Sequence, residues 1–391
     1  MTRPLDPAER ARACADVLDH VALTAEQSPA AFRRARRAAP GLREWFASRT
    51  GWRLVSNHEM VRLEKHGDTG RIGRPFRRIH DAFGYEILVW LLWFAEGSRS
   101  QQFLLTHALE AIRTQANMMS GAGHFDWTNR SHRSAMQRAM ETLEDLGIMG
   151  HTPDSQIGTW VDTAEGNVLY EFTPLVSFLS LSLQAAGPDA YVDSGGCPAP
   201  AEQRLFRALL MAPVLYRKED PEAFALLRAE ESRELYAEEI RELLGWELRV
   251  EPQYAFLMRP AEHQGVKVFS AESSIGHAVL LLCAKVRDAV GSGDLEVDAA
   301  DCVEAPRLWV ERTVEVIRSE WGANWSAREA TRPLGSLVEE ITGMMREWGM
   351  IEGPPQGGDY TFLPLAARYV GSYATNEEDT TSEEDATECL R

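Results

Sequence analysis

The sequence predicts a mainly α protein with short β-hairpins, an α+β chain built by internal duplication of tandem winged-helix domains. Three observations carry that reading. A set of landmarks recurs in the same order at an offset of about 190–202 residues. Each copy has a Gly-Trp step leading into an apolar hairpin. Each copy also has a late helix stopped by glycine and followed at once by strand, polar loop and strand.

The landmarks begin with Ser28-Pro29-Ala30-Ala31-Phe32, which matches Asp220-Pro221-Glu222-Ala223-Phe224. Residues 42–63, LREWFASRTGWRLVSNHEMVRL, match 236–257, YAEEIRELLGWELRVEPQYAFL, with Gly51-Trp52 against Gly245-Trp246. Further on, Asp126-Trp127-Thr128 and Asn324-Trp325-Ser326 each open a helix that ends in Gly147 or Gly349. Finally Tyr170-Glu171-Phe172-Thr173-Pro174-Leu175 matches Tyr360-Thr361-Phe362-Leu363-Pro364-Leu365. The predicted organisation is therefore a first winged-helix half over 1–187, a Gly/Pro-rich linker over 188–200, a second half over 201–372 and an acidic, disordered tail over 373–391.

Within each half, one helix ends near the Pro-x-Ala-Phe turn and a second runs into Gly-Trp. Trp52 and Trp246, with Gly51 and Gly245, are the predicted structural anchors of that turn, both indoles buried. Leu54-Val55 and Met60-Val61-Arg62-Leu63 flank the polar turn Ser56-Asn57-His58-Glu59, a short hairpin. An almost wholly apolar helix follows, Tyr85 to Ala95 and its counterpart His277 to Val290, then another over Gln101–Asn117 and Pro306–Glu320. In the late helix of the first half Met136, Met140 and Leu143 recur at the spacing of one buried face. Leu337, Ile341, Met344 and Trp348 do the same in the second. Pro333 stands within the first turns of that second helix and should displace or shorten it.

The 391 residues carry a formal net charge of −18, the opposite sign to a dedicated nucleic-acid binder. The charge is uneven: residues 31–80 hold 13 basic against 4 acidic side chains, while 196–372 hold 19 against 29. Cys14, Cys197, Cys283, Cys302 and Cys389 are odd in number and show no CxxC, so neither a disulfide framework nor a zinc site is expected. No secretory h-region and no apolar run of membrane-spanning length is read, so a cytoplasmic protein without membrane association is expected.

The sequence contains neither GxxxxGK[ST] nor a GxGxxG after a strand. His58-Glu59 and His66 are spaced eight apart, too far for an HExxH zinc helix. No GxSxG elbow is present, and no catalytic residue, metal or cofactor is assigned. Binding chemistry is better represented. The helix before a wing can enter a major groove, and in the first half it carries Arg130, Arg133 and Arg138. The basic run Arg71-Ile72-Gly73-Arg74-Pro75-Phe76-Arg77-Arg78 can clamp phosphates. The expected DNA-binding residues are therefore Arg71, Arg74, Arg77, Arg78, Arg130, Arg133 and Arg138. The run Arg33-Arg34-Ala35-Arg36-Arg37 reads equally as DNA contact or as a solvated helix face. The second-half counterpart has Arg328 and Arg332 but interleaves Glu329.

The segment AFRRARRAAPGLREWFASRTGWRLVSNHEMVRLEK, the arginine-rich stretch and apolar helix after it, PEAFALLRAEESRELYAEEIRELLGWEL and the C-terminal LPLAARYV together resemble a known family. It is the MukE-like, kleisin-interacting tandem winged-helix (KITE) subunit of Wadjet-type SMC plasmid-defence complexes. The resemblance covers nearly the whole chain except the tail, and its motifs are structural. It implies a non-enzymatic homodimer that binds a kleisin and, through it, SMC ATPase heads. The assembled complex would bind double-stranded DNA and extrude loops, with a separate toprim-type nuclease subunit cutting plasmids. Two other readings stay open: a stand-alone tandem winged-helix DNA-binding protein (a replication initiator or transcription regulator), and a nuclease subunit.

Overall fold

A computed structural model describes residues 6–65, 78–79, 81–98, 101–118, 125–151, 157–165, 168–176, 199–260, 269, 271–353 and 358–369. Among them the chain is mainly helical, with four small antiparallel sheets of three strands each.

The first half starts with helix α1 (Pro7–Asp19), strand β1 (Leu23–Thr24), helix α2 (Pro29–Thr50) and the hairpin β2 (Arg53–Ser56) and β3 (Met60–Glu64). It continues with α3 (Ala82–Gly97), β4 (Gln102–Leu104), α4 (Leu105–Met118), α5 (Arg130–Asp145), β5 (Met149–His151), a short α6 (Ile157–Thr163) and β6 (Leu169–Phe172). The second half repeats this: α7 (Ala201–Met211), β7 (Leu215–Tyr216), α8 (Pro221–Ala225), α9 (Glu230–Leu244), β8 (Glu247–Val250) and β9 (Tyr254–Met258). Then come α10 (Ser274–Ser292), β10 (Val303–Ala305), α11 (Arg307–Trp321), the single-turn α12 (Ala327–Ala330), α13 (Leu334–Glu347), β11 (Ile351–Glu352) and β12 (Tyr360–Phe362).

Every sheet has the same order, first strand, third strand, second strand: β1-β3-β2, β4-β6-β5, β7-β9-β8 and β10-β12-β11. In each, the strand after the first helix pairs with the returning arm of the hairpin, as Leu23 does with Val61 and Val303 with Phe362. This is winged-helix topology. Each half therefore contains two such modules in series, not one. The extra modules escaped the sequence reading because their first strands, β1 and β7, are only two residues long, below any usable period.

Local chemistry explains the boundaries. Gly51 and Gly245 end α2 and α9 in the left-handed conformation, at φ +67° and +66°, which a side chain rarely adopts. The indoles they introduce, Trp52 and Trp246, are fully buried, as the repeat predicted. Gly147 and Gly349 close α5 and α13 in the same conformation, at φ +69° and +68°. Asp81 and Ser273 cap the apolar helices α3 and α10 by accepting from the N–H of Gly84 and Gly276. Pro333 takes the N-cap position of α13, so the helix begins after it and α12 is left as a separate turn.

The chain divides into two compact units. One comprises Met1–Met211, Ala229–Glu247 and Arg259–Gly265; the other comprises Ala212–Arg228, Leu248–Met258 and Val266–Arg391. Helices α7 and α9 of the second half thus lie in the first unit. In each unit a buried core fills a module: Ile87, Leu91, Met136, Met140, Phe103 and Phe172 in the first, Val279, Leu282, Leu337, Ile341, Ile351 and Phe362 in the second. Each half also latches its first module onto its second. Gln27 Nε2 donates to the carbonyl of Asp145 at 3.0 Å, and Tyr216 Oη donates to the carbonyl of Gly349 at 2.8 Å.

Candidate nucleic-acid interface

The position before the hairpin is the one from which a winged helix reads a groove. In the first module that position falls on α2. Its exposed side holds Arg33 and Arg36, with no carboxylate partner among the described residues. Arg34 and Arg37, from the same run, are tied to Asp16 at 2.5 Å and Glu9 at 3.3 Å. The basic run is thus half structural and half available.

In the second module the reading helix is α5. Asn129 caps it by accepting from the N–H of Ser131, and a buried stripe of Ala135, Met136, Ala139, Met140 and Leu143 seats it on the core. The sequence analysis expects Arg133 to contact DNA, and the structure corrects this. Arg133 is 5% exposed. Its guanidinium donates to the carbonyls of Val161 (2.8 Å), Trp127 (2.8 Å) and Thr128 (2.7 Å). It is a structural strut between α5, α6 and the turn before α5, and it is withdrawn from any phosphate. The cause is α6, an insertion in the wing that brings carbonyls over the helix start, and nothing in the local spacing announced it.

Arg130 remains exposed and pairs with Asp162 of α6 at 2.8 Å. Arg78 spans Glu141 at 2.9 Å and Asp145 at 2.6 Å, and these carboxylates hold its guanidinium in the charged form. Exposed pairs of this kind contribute little to stability and exchange readily for another anion. Arg138 is half-buried on α5, with no carboxylate partner among the described residues. Arg71, Arg74 and Arg77 lie outside the described residues. Among the described candidate residues, Arg33, Arg36 and Arg138 have no carboxylate partner, and Arg78 and Arg130 sit in exchangeable surface pairs.

The counterpart helix α13 is acidic outward, with Glu339 and Glu340 exposed. Arg332 is sequestered by Glu329 at 2.7 Å and Glu340 at 2.9 Å. A second surface was missed from the sequence. Helix α3 is mostly apolar, and between Glu86 and Glu96 its outer side leaves Val89 and Trp93 58% and 41% exposed, with Trp93 meeting Trp90 edge-on at 5.5 Å. Exposed apolar side chains grouped on one helix face suit protein contact better than phosphate. The signal was present in the all-apolar run of 87–95, which reads as a buried helix until the neighbours are placed.

No group of three or more His, Cys, Asp or Glu side chains arranged to hold a metal is found among the described residues. Burial pushes the Cys14 thiol well above its ordinary range and that of Cys283 up to about 12, so neither is a nucleophile at neutral pH. Among the described residues no helix is long and apolar enough to cross a membrane.

Fold and surface together define a serial array of winged-helix modules whose first half carries exposed arginines on α2 and α5 and exposed apolar side chains on α3. The chain belongs to the family described as "Protein of unknown function (DUF2398)", whose model matches residues 15–372. No curated protein and no solved structure matches the chain.

Proposed function

We propose that the protein is a non-enzymatic, kleisin-binding subunit of an SMC-type complex that acts on double-stranded DNA and restricts plasmids. The observation that carries the reading is the serial winged-helix order running through both halves, on the residues that resemble the Wadjet KITE subunit. In that reading the apolar α3 face with Val89 and Trp93 serves protein contact. Arg33, Arg36 and Arg138 contribute phosphate contacts within the assembly. The SMC ATPase and a toprim-type nuclease are partner subunits in the cytoplasm, and the chain itself takes no cofactor.

Co-expression of the tagged chain with the products of its neighbouring genes tests this. The expected result is co-purification with a kleisin and, through it, an SMC ATPase. Phosphate contacts predict an affinity of the assembled complex for DNA that falls steeply with salt and depends little on sequence. Tight sequence-specific duplex binding by the chain alone would favour a stand-alone regulator or initiator. Metal-dependent nicking by the chain alone would favour a nuclease. Either result overturns the proposal.

A further inference from the structure

The two copies of the first module meet each other inside this chain. Helix α1 packs on α9 and α2 packs on α7. These two contacts exchange when the copies are exchanged, because α1 corresponds to α7 and α2 corresponds to α9. The residues follow suit. Ala13, Cys14, Ala15, Val17 and Leu18 are buried on α1, and 192 positions later Leu205, Phe206, Arg207, Leu209 and Leu210 are buried on α7. Leu42, Phe46 and Thr50 are buried on α2, and 194 positions later Tyr236, Ile240 and Leu244 are buried on α9. Arg207 donates to the carbonyl of Thr50 at 2.7 Å, at the C-terminal end of α2. Arg10 of α1 donates to the carbonyl of Glu242 at 3.1 Å, at the C-terminal end of α9. Each short helix thus lends a cation to the negative end of the other copy's long helix.

The relation has an axis, and the sequence offset locates it. Trp45 Nε1 donates to Glu239 Oε1, and these residues are 194 apart, the same separation as Gly51 and Gly245. A position that touches its own counterpart lies on a two-fold axis. This is the arrangement of an isologous dimer interface, in which the same patch serves both sides.

We infer that the chain is a covalently closed pseudo-dimer of its own duplicated module, and that this surface, being filled from within, leaves the protein a monomer. The surface also has a built-in preference for the mixed pair. Arg49 bridges Glu239 at 2.7 Å and Glu202 at 2.6 Å, and its guanidinium lies 5.5 Å from the centre of the Phe206 ring. If two first copies met, Glu239 would be replaced by Trp45 and Glu202 by Arg10, so Arg49 would face a cation. If two second copies met, Glu239 would face Glu239 across the axis. Only one copy of each kind gives opposite charges, so like copies are rejected. Gly51 tightens the fit: a Cβ there would come within 2.8 Å of Gln203 Oε1 and 3.1 Å of an Arg207 guanidinium nitrogen. The homodimer implied by the family resemblance is thus supplied within one polypeptide. This inference is independent of the proposed function.

Light scattering of the full chain at micromolar concentration tests the first part, with 43.8 kDa expected. For the second part, a protease site is placed within residues 188–198 of the full chain and cut after folding. The two fragments are expected to co-elute as one species. Glu239→Arg should make the cut fragments separate, and Arg49→Glu with Glu239→Arg should restore the pair. That restoration distinguishes a lost ion pair from a misfolded variant. A particle of twice the mass, fragments that separate without mutation, or fragments that stay paired in Glu239→Arg at moderate salt overturns the inference.

Discussion

Helix α5 of the first half and α13 of the second hold the same place in their modules, and their buried faces correspond residue by residue. Ala135, Met136, Ala139, Met140 and Leu143 sit where Leu337, Val338, Ile341, Thr342 and Met345 sit, all buried. Their other positions have diverged. Arg138 stands where the second copy has Glu340, Gln137 where it has Glu339, and the buried Arg133 where it has Gly335. The apolar helices diverge in the same way. On α3, Val89 and Trp93 are exposed, while their counterparts on α10 are Leu281, which is buried, and Lys285, which pairs with Glu320 at 3.5 Å. Duplication thus preserved what the core requires and released what the surface does. At these positions the first copy presents an arginine and exposed apolar side chains, and the second presents carboxylates, a buried leucine and a paired lysine.

If the cores are equivalent, equal truncations should cost the same. Phe172→Ala and Phe362→Ala remove matching buried rings and are each expected to cost about 3–5 kcal/mol in urea melts. A difference of more than about 2 kcal/mol between them would break the equivalence. Arg133 sharpens the contrast from the other side. Arg133→Met strips four carbonyls of a donor and is expected to cost about 3 kcal/mol, whereas Arg130→Ala should stay within about 0.5 kcal/mol. A near-neutral Arg133→Met would mean that the strut carries no stability.

The helix caps are a smaller, matched pair. Asp81→Ala and Ser273→Ala should each cost about 1 kcal/mol. Trp93→Lys, which gives α3 the residue of α10, should change stability by less than about 0.5 kcal/mol while reducing binding of a hydrophobic dye. Dye binding unchanged by that substitution would remove the apolar face as a distinct surface.

The least conspicuous comparison is between Lys65 and Arg259, which are 194 positions apart and both gather at the end of α1. Arg259 pairs with Asp19 at 2.7 Å and lies 4.0 Å from the centre of the Trp246 ring. Lys65 Nζ donates to the carbonyls of Leu18 and His20, and burial lowers its pKa from the ordinary 10.5 to about 8. Only the lysine titrates in reach. Between about pH 8 and 10.5 the unfolded chain holds that proton more firmly than the folded one, so stability contributed by this site rises with pH across the window. Lys65→Met should abolish that slope in denaturation curves taken at pH 8 and 10; an unchanged slope would assign it to another group.

Much of this was legible in the residues. Gly51, Gly245, Gly147 and Gly349 mark helix ends because only glycine takes positive φ cheaply, and that constraint is local. The buried stripes of α5 and α13 follow from helical periodicity, and Pro333 ends a helix wherever it stands. The repeated order of landmarks therefore disclosed the duplication and the winged-helix class. What the sequence could not show depended on residues brought together from afar. Whether Arg133 faces solvent was decided by the carbonyl of Val161, 28 positions away. Whether Trp93 is covered was decided by the packing around α3. The pairing of Trp45 with Glu239 was written in the offset of 194, but an offset states correspondence and not contact. Local backbone chemistry and side-chain period determine which elements form and where they stop. Exposure, ion pairing and the closure of one module on its copy are properties of the packed chain, and only its tertiary structure decided them.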